Sequence, residues 1–357
     1  MRRLKIAKCL IIWLICGTIK LLSVMKILFI GGTGNISTAC SRHALKKNME
    51  LHILNRGKRQ SEGLNGAHFI NGDIDDVRAT GDLIRDEWYD SVVNFIAFKP
   101  ADISRDIRLF SGKCGQYVFI SSASAYQKPP THPVITESTP LANPFWEYSR
   151  DKIACEEMLM REYREKGFPV TIVRPSHTYD QVIPAALGSW QDFTLIDRMR
   201  RGQKVIIPGD GSSLWVMTHS SDFARGFTGL LGNRQTIGHT FHITSDELLS
   251  WNQIYESMAD AAGAELKAVH IASDFICRVA EGLGQPWMRG NLLGDKSNSV
   301  IFDNSKIRAF VPGFRARIPF REGIRRTIRW FDEDPERIRI DESNNRLMDA
   351  ILEAYPE

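Results

Sequence analysis

The sequence predicts an α/β protein built on a doubly wound parallel sheet, with a smaller α+β lobe in its C-terminal half. Three observations carry that expectation. Short, unbroken apolar runs recur from residue 26 onward, amphipathic stretches separate them, and a glycine cluster closes the first run. Unbroken apolar runs suit parallel strands buried on both faces. Their alternation with helical segments places helices on both sides of one sheet.

Taken in order, KILFIG (26–31) is the first strand and the amphipathic residues 35–47 the first helix. LHILNR (51–56), HFINGDI (68–74), SVVNFIA (91–97) and QYVFISS (116–122) follow as strands, with helices at 77–86 and 101–112. A long helical stretch over 145–167 leads into the strand PVTIVRP (169–175). Beyond 175 the rhythm loosens. PGDGSSLWVMTH (208–219) reads as a turn and strand, 221–232 as a helix, TFHITS (240–245) as a strand and 250–263 as a helix.

Composition narrows the function classes. With 43% hydrophobic and 25% charged residues, the chain lies within ordinary soluble usage. Its formal charge of +4 comes from residues 1–24, which carry five basic groups and no acid. The remainder has 41 basic against 42 acidic side chains, so no nucleic-acid partner is expected. The six cysteines show no C-x-x-C and no companion histidine spacing, which reads as reduced thiols in a cytoplasmic protein without a metal site.

The leader MRRLKIAKCLIIWLICGTIKLLSV has a basic start and an apolar stretch from Cys9 to Ile19. No small-x-small cleavage site follows, as a signal sequence would need. We read it as a misplaced start, with Met25 as initiator. Membrane anchoring through residues 9–25, with Lys20 snorkelling, is the second reading.

Gly31 and Gly34 follow an apolar strand and open a helix, the setting of a Rossmann-type dinucleotide fingerprint. There the backbone approaches a pyrophosphate that the helix N-terminus favours. Gly31, Gly34, Asn35 and Ile36 are the expected cofactor-facing residues of this turn. Ser37 stands in the third glycine's place, a position concerned with helix–strand packing. The second strand ends in Asn55 and Arg56, with Lys58 and Arg59 close behind. A neutral residue beside an arginine suits the 2′-phosphate of NADP better than a carboxylate would. NADP is the expected cofactor and NAD the alternative; a merely exposed basic loop also stays open.

YSRDK places Tyr148 and Lys152 on one helix face, after the strand that ends near Ser122. A tyrosine with a pKa near 10 is a poor acid–base at neutral pH, and a neighbouring ammonium should lower it. Ser122 would then bond the substrate oxygen while Tyr148 exchanges its proton.

The sequence thereby resembles the short-chain dehydrogenase/reductase superfamily, in its extended and atypical NAD-dependent epimerase/dehydratase branch. The resemblance covers nearly all of residues 25–333. It rests on the glycine turn, NGDIDD (71–76), NFIAF (94–98), the serine strand, Tyr148-x-x-x-Lys152, RPSHTY (174–179) and HSSDFARG (219–226). It implies that Asp73 and Ile74 contact adenine and that Ala97 lines the nicotinamide side. Lys152 would also bind the nicotinamide ribose, and Arg174 and Pro175 would lie beside the cofactor. The implied domains are an NAD(P)-binding unit over 25–180 completed by elements of 213–245, a substrate lobe from 181–212 and 246–333, and a peripheral helical tail over 334–357. The implied activity is hydride transfer at a secondary alcohol or ketone of a sugar or nucleotide-sugar, as an epimerase or a reductase, with a homodimer as one expected form. No acidic pair follows Ser122, which disfavours dehydration.

His177, His219 and His242 flank apolar strands and are expected to be structural. Trp190, Phe193 and Trp215 serve either a substrate pocket or the core. Six arginines between Arg315 and Arg329 are offset only by Glu322. They give the alternative function, a non-catalytic nucleotide sensor or RNA-binding protein on the same fold.

Overall fold

The computed structural model describes residues 24–57 and 63–356. The expectations for the leader, apart from Val24 and Met25, and for Lys58 and Arg59 lie outside the described residues. The main sheet has seven parallel strands: β1 (Lys26–Ile30), β2 (Glu50–Asn55), β3 (His68–Asn71), β4 (Ser91–Asn94), β5 (Tyr117–Ile120), β6 (Val170–Arg174) and β7 (Thr240–His242). Their spatial order is β7-β6-β5-β4-β1-β2-β3. The order reverses between β1 and β4, so the crevice for a ligand opens beyond the carboxyl ends of those two strands.

Strand alternation divides the core. Ile27 and Phe29 of β1 face α1 (Asn35–Lys46), which contributes Ala39, Cys40 and Ala44 to their cluster. Leu28 and Ile30 face the other way. After α2 (Val77–Leu83), helices α3 (Pro100–Phe110) and α4 (Glu147–Lys166) cover that side with Ile103, Leu109, Cys155 and Leu159. Both faces of the sheet are buried, which is why its strands read as unbroken apolar runs.

The remaining helices are α5 (Thr194–Arg200), α6 (Ser220–Thr228), α7 (Trp251–Ala262), α8 (Ser273–Gly282), α9 (Trp287–Asn291), α10 (Ser305–Phe310), α11 (Phe320–Asp332) and α12 (Glu342–Ala354). Helix α6 returns to the main sheet beside α1, carrying Phe223 and Phe227. Helices α5, α7, α8, α11 and α12 share a separate core with the parallel strand pair Val205–Pro208 and Ala268–Ile271, which forms the smaller lobe. The tail is not peripheral. Leu347, Met348 and Ile351 of α12 are buried in that core. Three apolar positions in a polar helix are enough to dock it, and its charged composition masks them.

Several strands are shorter than the apolar runs suggest. β3, β4 and β5 stop at Asn71, Asn94 and Ile120, and the residues that follow become loops at the sheet's carboxyl edge. Arg174, at the end of β6, turns into the interior. Its Nε lies 2.9 Å from Glu156 Oε1, and both side chains are buried. The guanidinium also covers the Tyr126 ring, 4.7 Å from its centroid. Replacing Glu156 by Gln would leave this cation buried without its counter-charge. Glu156→Gln is expected to lower stability by about 3–5 kcal/mol in urea unfolding; a loss under about 1 kcal/mol, the value of an exposed pair, would contradict the role given to it.

Candidate active site

The turn after β1 is shaped by what a side chain would strike. Gly31 has φ +92°, and a Cβ there would lie 2.6 Å from Ile96 Cγ2. The loop after β4 is therefore seated on the glycine turn. Ser37 is more than a tolerated substitute. Its hydroxyl accepts from the Gly34 N–H at 2.7 Å, the N3-to-N-cap half of a capping box. That bond occupies the Gly34 amide and leaves the first-turn amides of α1 at the cleft. The close helix–strand packing expected of a third glycine falls to Gly32, where a Cβ would lie 3.2 Å from both Ile53 Cγ2 and Ser41 Oγ.

A cleft of about 760 Å³ follows this turn. Gly31, Gly34, Asn35, Ile36, Asn55, Arg56, Asp73 and Ile74, all expected at a cofactor, line it. Arg56 is exposed at the rim, 4.0 Å from Asp73 Oδ2, so a carboxylate does stand near this end. Asn35 donates to Thr178 O at 2.8 Å, while its Oδ1 is buried without a partner among the described residues. That orphaned oxygen, the crowded glycine turn and the volume of the cleft fit a dinucleotide.

Four expected cofactor residues, Ala97, Lys152, Arg174 and Pro175, do not line this cleft, and Lys152 is buried and lines neither cleft. Ala97 is fully buried, and its neighbours Ile96 and Phe98 line the cleft instead. Arg174 is engaged by Glu156 and lines neither cleft, whereas Pro175 lines the second one. The signature RPSHTY marks the segment correctly but does not show which way its arginine points.

One face of α3 ties the two walls of the cleft together. Asp102 Oδ2 accepts from the Phe98 N–H at 2.7 Å and the Lys99 N–H at 3.0 Å. Asp106 is fully buried and bonds Asn94 and Tyr117, and Asn94 in turn holds the Ile96 amide at 2.8 Å. Arg105 joins Asp102 and Asp106 and reaches across to Asp75 on the opposite wall.

A smaller pocket of about 250 Å³ adjoins the cleft, sharing Ser176 and Trp190 with it. Ser122, Ser124, Trp146, Tyr148, Pro175, His177, Asn291, Asp295 and Lys296 are among its lining. Tyr148 and Lys152 occupy successive turns near the start of α4. Tyr148 and Ser122 line the small pocket together, and a hydroxyl chain runs from Ser122 to Ser124 at 2.9 Å and on to Ser149 at 2.8 Å. Lys152 is buried and donates to Ala97 O at 2.7 Å and Ile120 O at 2.8 Å. Phe98, Phe119 and Tyr148 present ring faces to its ammonium.

The expected lowering of the phenol is not what the free protein shows. Burial pushes Tyr148 up to about 12; the Ser122 hydrogen bond opposes this and the Asp295 charge adds to it. Burial also pushes Lys152 down to about 8. In both groups the largest cause is desolvation of the charged form.

His177 also departs from expectation. His219 caps α6 through Ser221, and His242 bonds Tyr126 and Asp303, both structural as predicted. His177 instead lines the small pocket and pairs with Asp295 at 2.9 Å. Asp295 and Lys296 come from a π-helical turn, Leu292–Lys296, a form often found at functional sites. Burial lowers Lys296 to about 8. Asp295 is held below the usual carboxylate range by His177, Lys128 and Lys296, against the opposing effect of its burial. No spacing signal in the sequence singles out these two residues. Trp190 belongs to both clefts, whereas Phe193 and Trp215 are core residues.

Fold and cleft together define a dinucleotide-binding protein of the Rossmann type. The model of the NAD dependent epimerase/dehydratase family matches residues 27–244, and the chain belongs to that family. It is 24% identical over 294 residues to a 2'-dehydrokanamycin reductase of Streptomyces kanamyceticus, covering 82% of this chain and 81% of that protein. It is 26% identical over 262 residues to the chloroplast stem-loop binding protein of 41 kDa b of Arabidopsis thaliana, covering 70% and 66%. The fold resembles the UDP-glucose 4-epimerase of Bifidobacterium longum in complex with NAD+ and UDP, with a TM-score of 0.69, 16% identity, and 88% and 100% coverage. Among the described residues no helix is long and apolar enough to cross a membrane.

Ser37→Ala removes the oxygen that accepts the Gly34 amide. It is expected to reduce stability by about 1 kcal/mol, the usual value of a helix N-terminal cap. Urea unfolding measures this, and an unchanged midpoint and slope would return Ser37 to a packing role.

Proposed function

We propose that the protein is an NAD(P)-dependent oxidoreductase or epimerase acting on a secondary alcohol or ketone of a sugar or nucleotide-sugar, the substrate class in the relatives' names, with Ser122, Tyr148 and Lys152 carrying the proton chemistry. The observation that supports this most directly is the junction of the two clefts. A dinucleotide along the larger one would bring its reactive end towards a small pocket that already holds a serine and a tyrosine.

Each residue then has a defined task. A nicotinamide held in the larger cleft would supply or accept the hydride. Ser122 holds the substrate oxygen and Tyr148 moves the proton at that oxygen. Lys152, fixed between two carbonyls, maintains positive charge beneath the phenol. With Tyr148 raised to about 12, the resting phenol is protonated, the form needed to deliver a proton during ketone reduction. The relative named as a dehydrokanamycin reductase favours the same direction. The pocket's mixture of hydroxyl, carboxylate, ammonium and indole groups suits a polyhydroxylated ring.

The alternative, an RNA-binding protein, takes support from the stem-loop binding relative. The arginines that suggested it are partly neutralised: Arg321 pairs with Asp260 and Arg326 with Glu322. Binding a 2′-phosphate at Arg56 remains the basis for preferring NADP, because a phosphate would compete well with an Asp73 carboxylate 4.0 Å away.

The first experiment is to identify the nucleotide that co-purifies, then to screen UDP- and dTDP-sugars for a cofactor absorbance change or an epimerised product. Tyr148→Phe is expected to lower turnover by roughly 10²–10⁴-fold with cofactor affinity preserved; retained turnover would refute the assignment. For selectivity, fluorescence titration should show tighter NADP than NAD binding, with Arg56→Ala weakening NADP alone by roughly 10–100-fold, as for a hydrogen bond to a charged group. Equal or better NAD affinity in the unsubstituted protein would overturn the NADP preference.

A further inference from the structure

At the end of the sheet opposite the clefts, the amino-terminal halves of β2 and β3 bring together three side chains that hydride chemistry does not use. Glu50 and His52 are two residues apart on β2 and therefore share a face. His52 is in register with His68 of β3, and their rings stack with centroids 4.9 Å apart. Taking one ligand atom from each of the three residues, all lie within 4.8 Å of one another. Glu50 Oε1 and His52 Nε2 are already 2.8 Å apart.

The surroundings prepare this cluster for a cation. Glu50 is only partly buried, so its carboxylate is open to a cation from the solvent side. Lys26 is 3.8 Å from Glu50 but makes its closer pair with Glu87, so Glu50 can be given up to another charge. The Tyr89 ring packs edge-on to His52, 5.6 Å away, and limits its rotation. His68 is exposed and can turn towards the other two.

We propose that Glu50, His52 and His68 form a binding site for a divalent transition-metal cation of the Zn²⁺ type, independent of the catalytic clefts. Two imidazoles and one carboxylate suit such an ion, whereas Mg²⁺ and Ca²⁺ prefer all-oxygen sites. Bonds of about 2.0–2.2 Å put tetrahedral ligand atoms roughly 3.4 Å apart. Side-chain rotation of His68 and a slight widening of the Glu50–His52 contact reach that spacing without backbone movement. The proton now between His52 and Glu50 moves to Nδ1 or to solvent, and the cation takes its place. The fourth position faces water. The bound ion joins edge strand β3 to β2 and so secures the border of the sheet. Sequence spacing gives no hint of the site, because parallel pairing alone brings His68 beside His52.

The test uses the full chain after chelator treatment, titrated with Zn²⁺ by calorimetry and with Co²⁺ by visible absorption. One equivalent is expected to bind, with a rise in melting temperature. Loss of an outer-shell partner alone weakens metal sites by ~10–100-fold, so deleting a ligand by His68→Gln should weaken binding at least ~10-fold. Because His68 is exposed, that variant should melt like the unsubstituted protein in the absence of metal. Glu50→Gln should weaken binding as well. A chain that takes up no Zn²⁺, or a His68→Gln variant that binds it as tightly and gains the same thermal shift, would overturn the site.

Discussion

The buried ammonium of Lys152 joins the ends of two neighbouring strands to the helix that carries the phenol. An ammonium removed from water must have acceptors, and the carbonyls of Ala97 and Ile120 provide them. This requirement fixes α4 against the carboxyl edge of β4 and β5. One turn earlier the helix presents Tyr148 to the pocket; one turn later it presents Glu156 to Arg174. The geometry of the small pocket and the stability of the core thus rest on a single helix face at i, i+4 and i+8.

The same demand, that buried charges be paired, holds at Arg105 and Asp106 and organises the larger cleft. Arg105 lies among Asp75, Asp102 and Asp106; Asp102 in turn holds backbone amides and Asp106 the Asn94 side chain. Both walls of the cleft are thereby referred to one guanidinium. Such a network is rigid while every member is satisfied, since an unpaired buried charge is costly. The loop 95–98 gains a second restraint from Gly31, whose missing Cβ is the space that Ile96 occupies.

Burial also sets the resting state of the chemistry. Tyr148 is raised and Lys152 is lowered for the same reason, that each loses solvation of its charged form. Asp295 remains ionised in the same pocket because His177, Lys128 and Lys296 surround it. A ligand entering here meets one fixed negative charge beside donors, a pattern that orients hydroxyl groups rather than anions.

The parallel sheet, its strand sequence and the positions of the glycine turn and of Tyr148 and Lys152 were legible because each depends on local pattern. Unbroken apolar runs report two-sided burial, and an i, i+4 pair reports a shared helix face wherever the helix packs. Direction and partnership were not legible. Arg174 turns to Glu156, Ser37 takes the Gly34 amide, α12 docks through three apolar residues, and His177 meets Asp295 across more than a hundred residues of chain. Local pattern determines which elements form, whereas the orientation of a polar side chain depends on which distant group can satisfy it once water is excluded. Only the tertiary structure decides that.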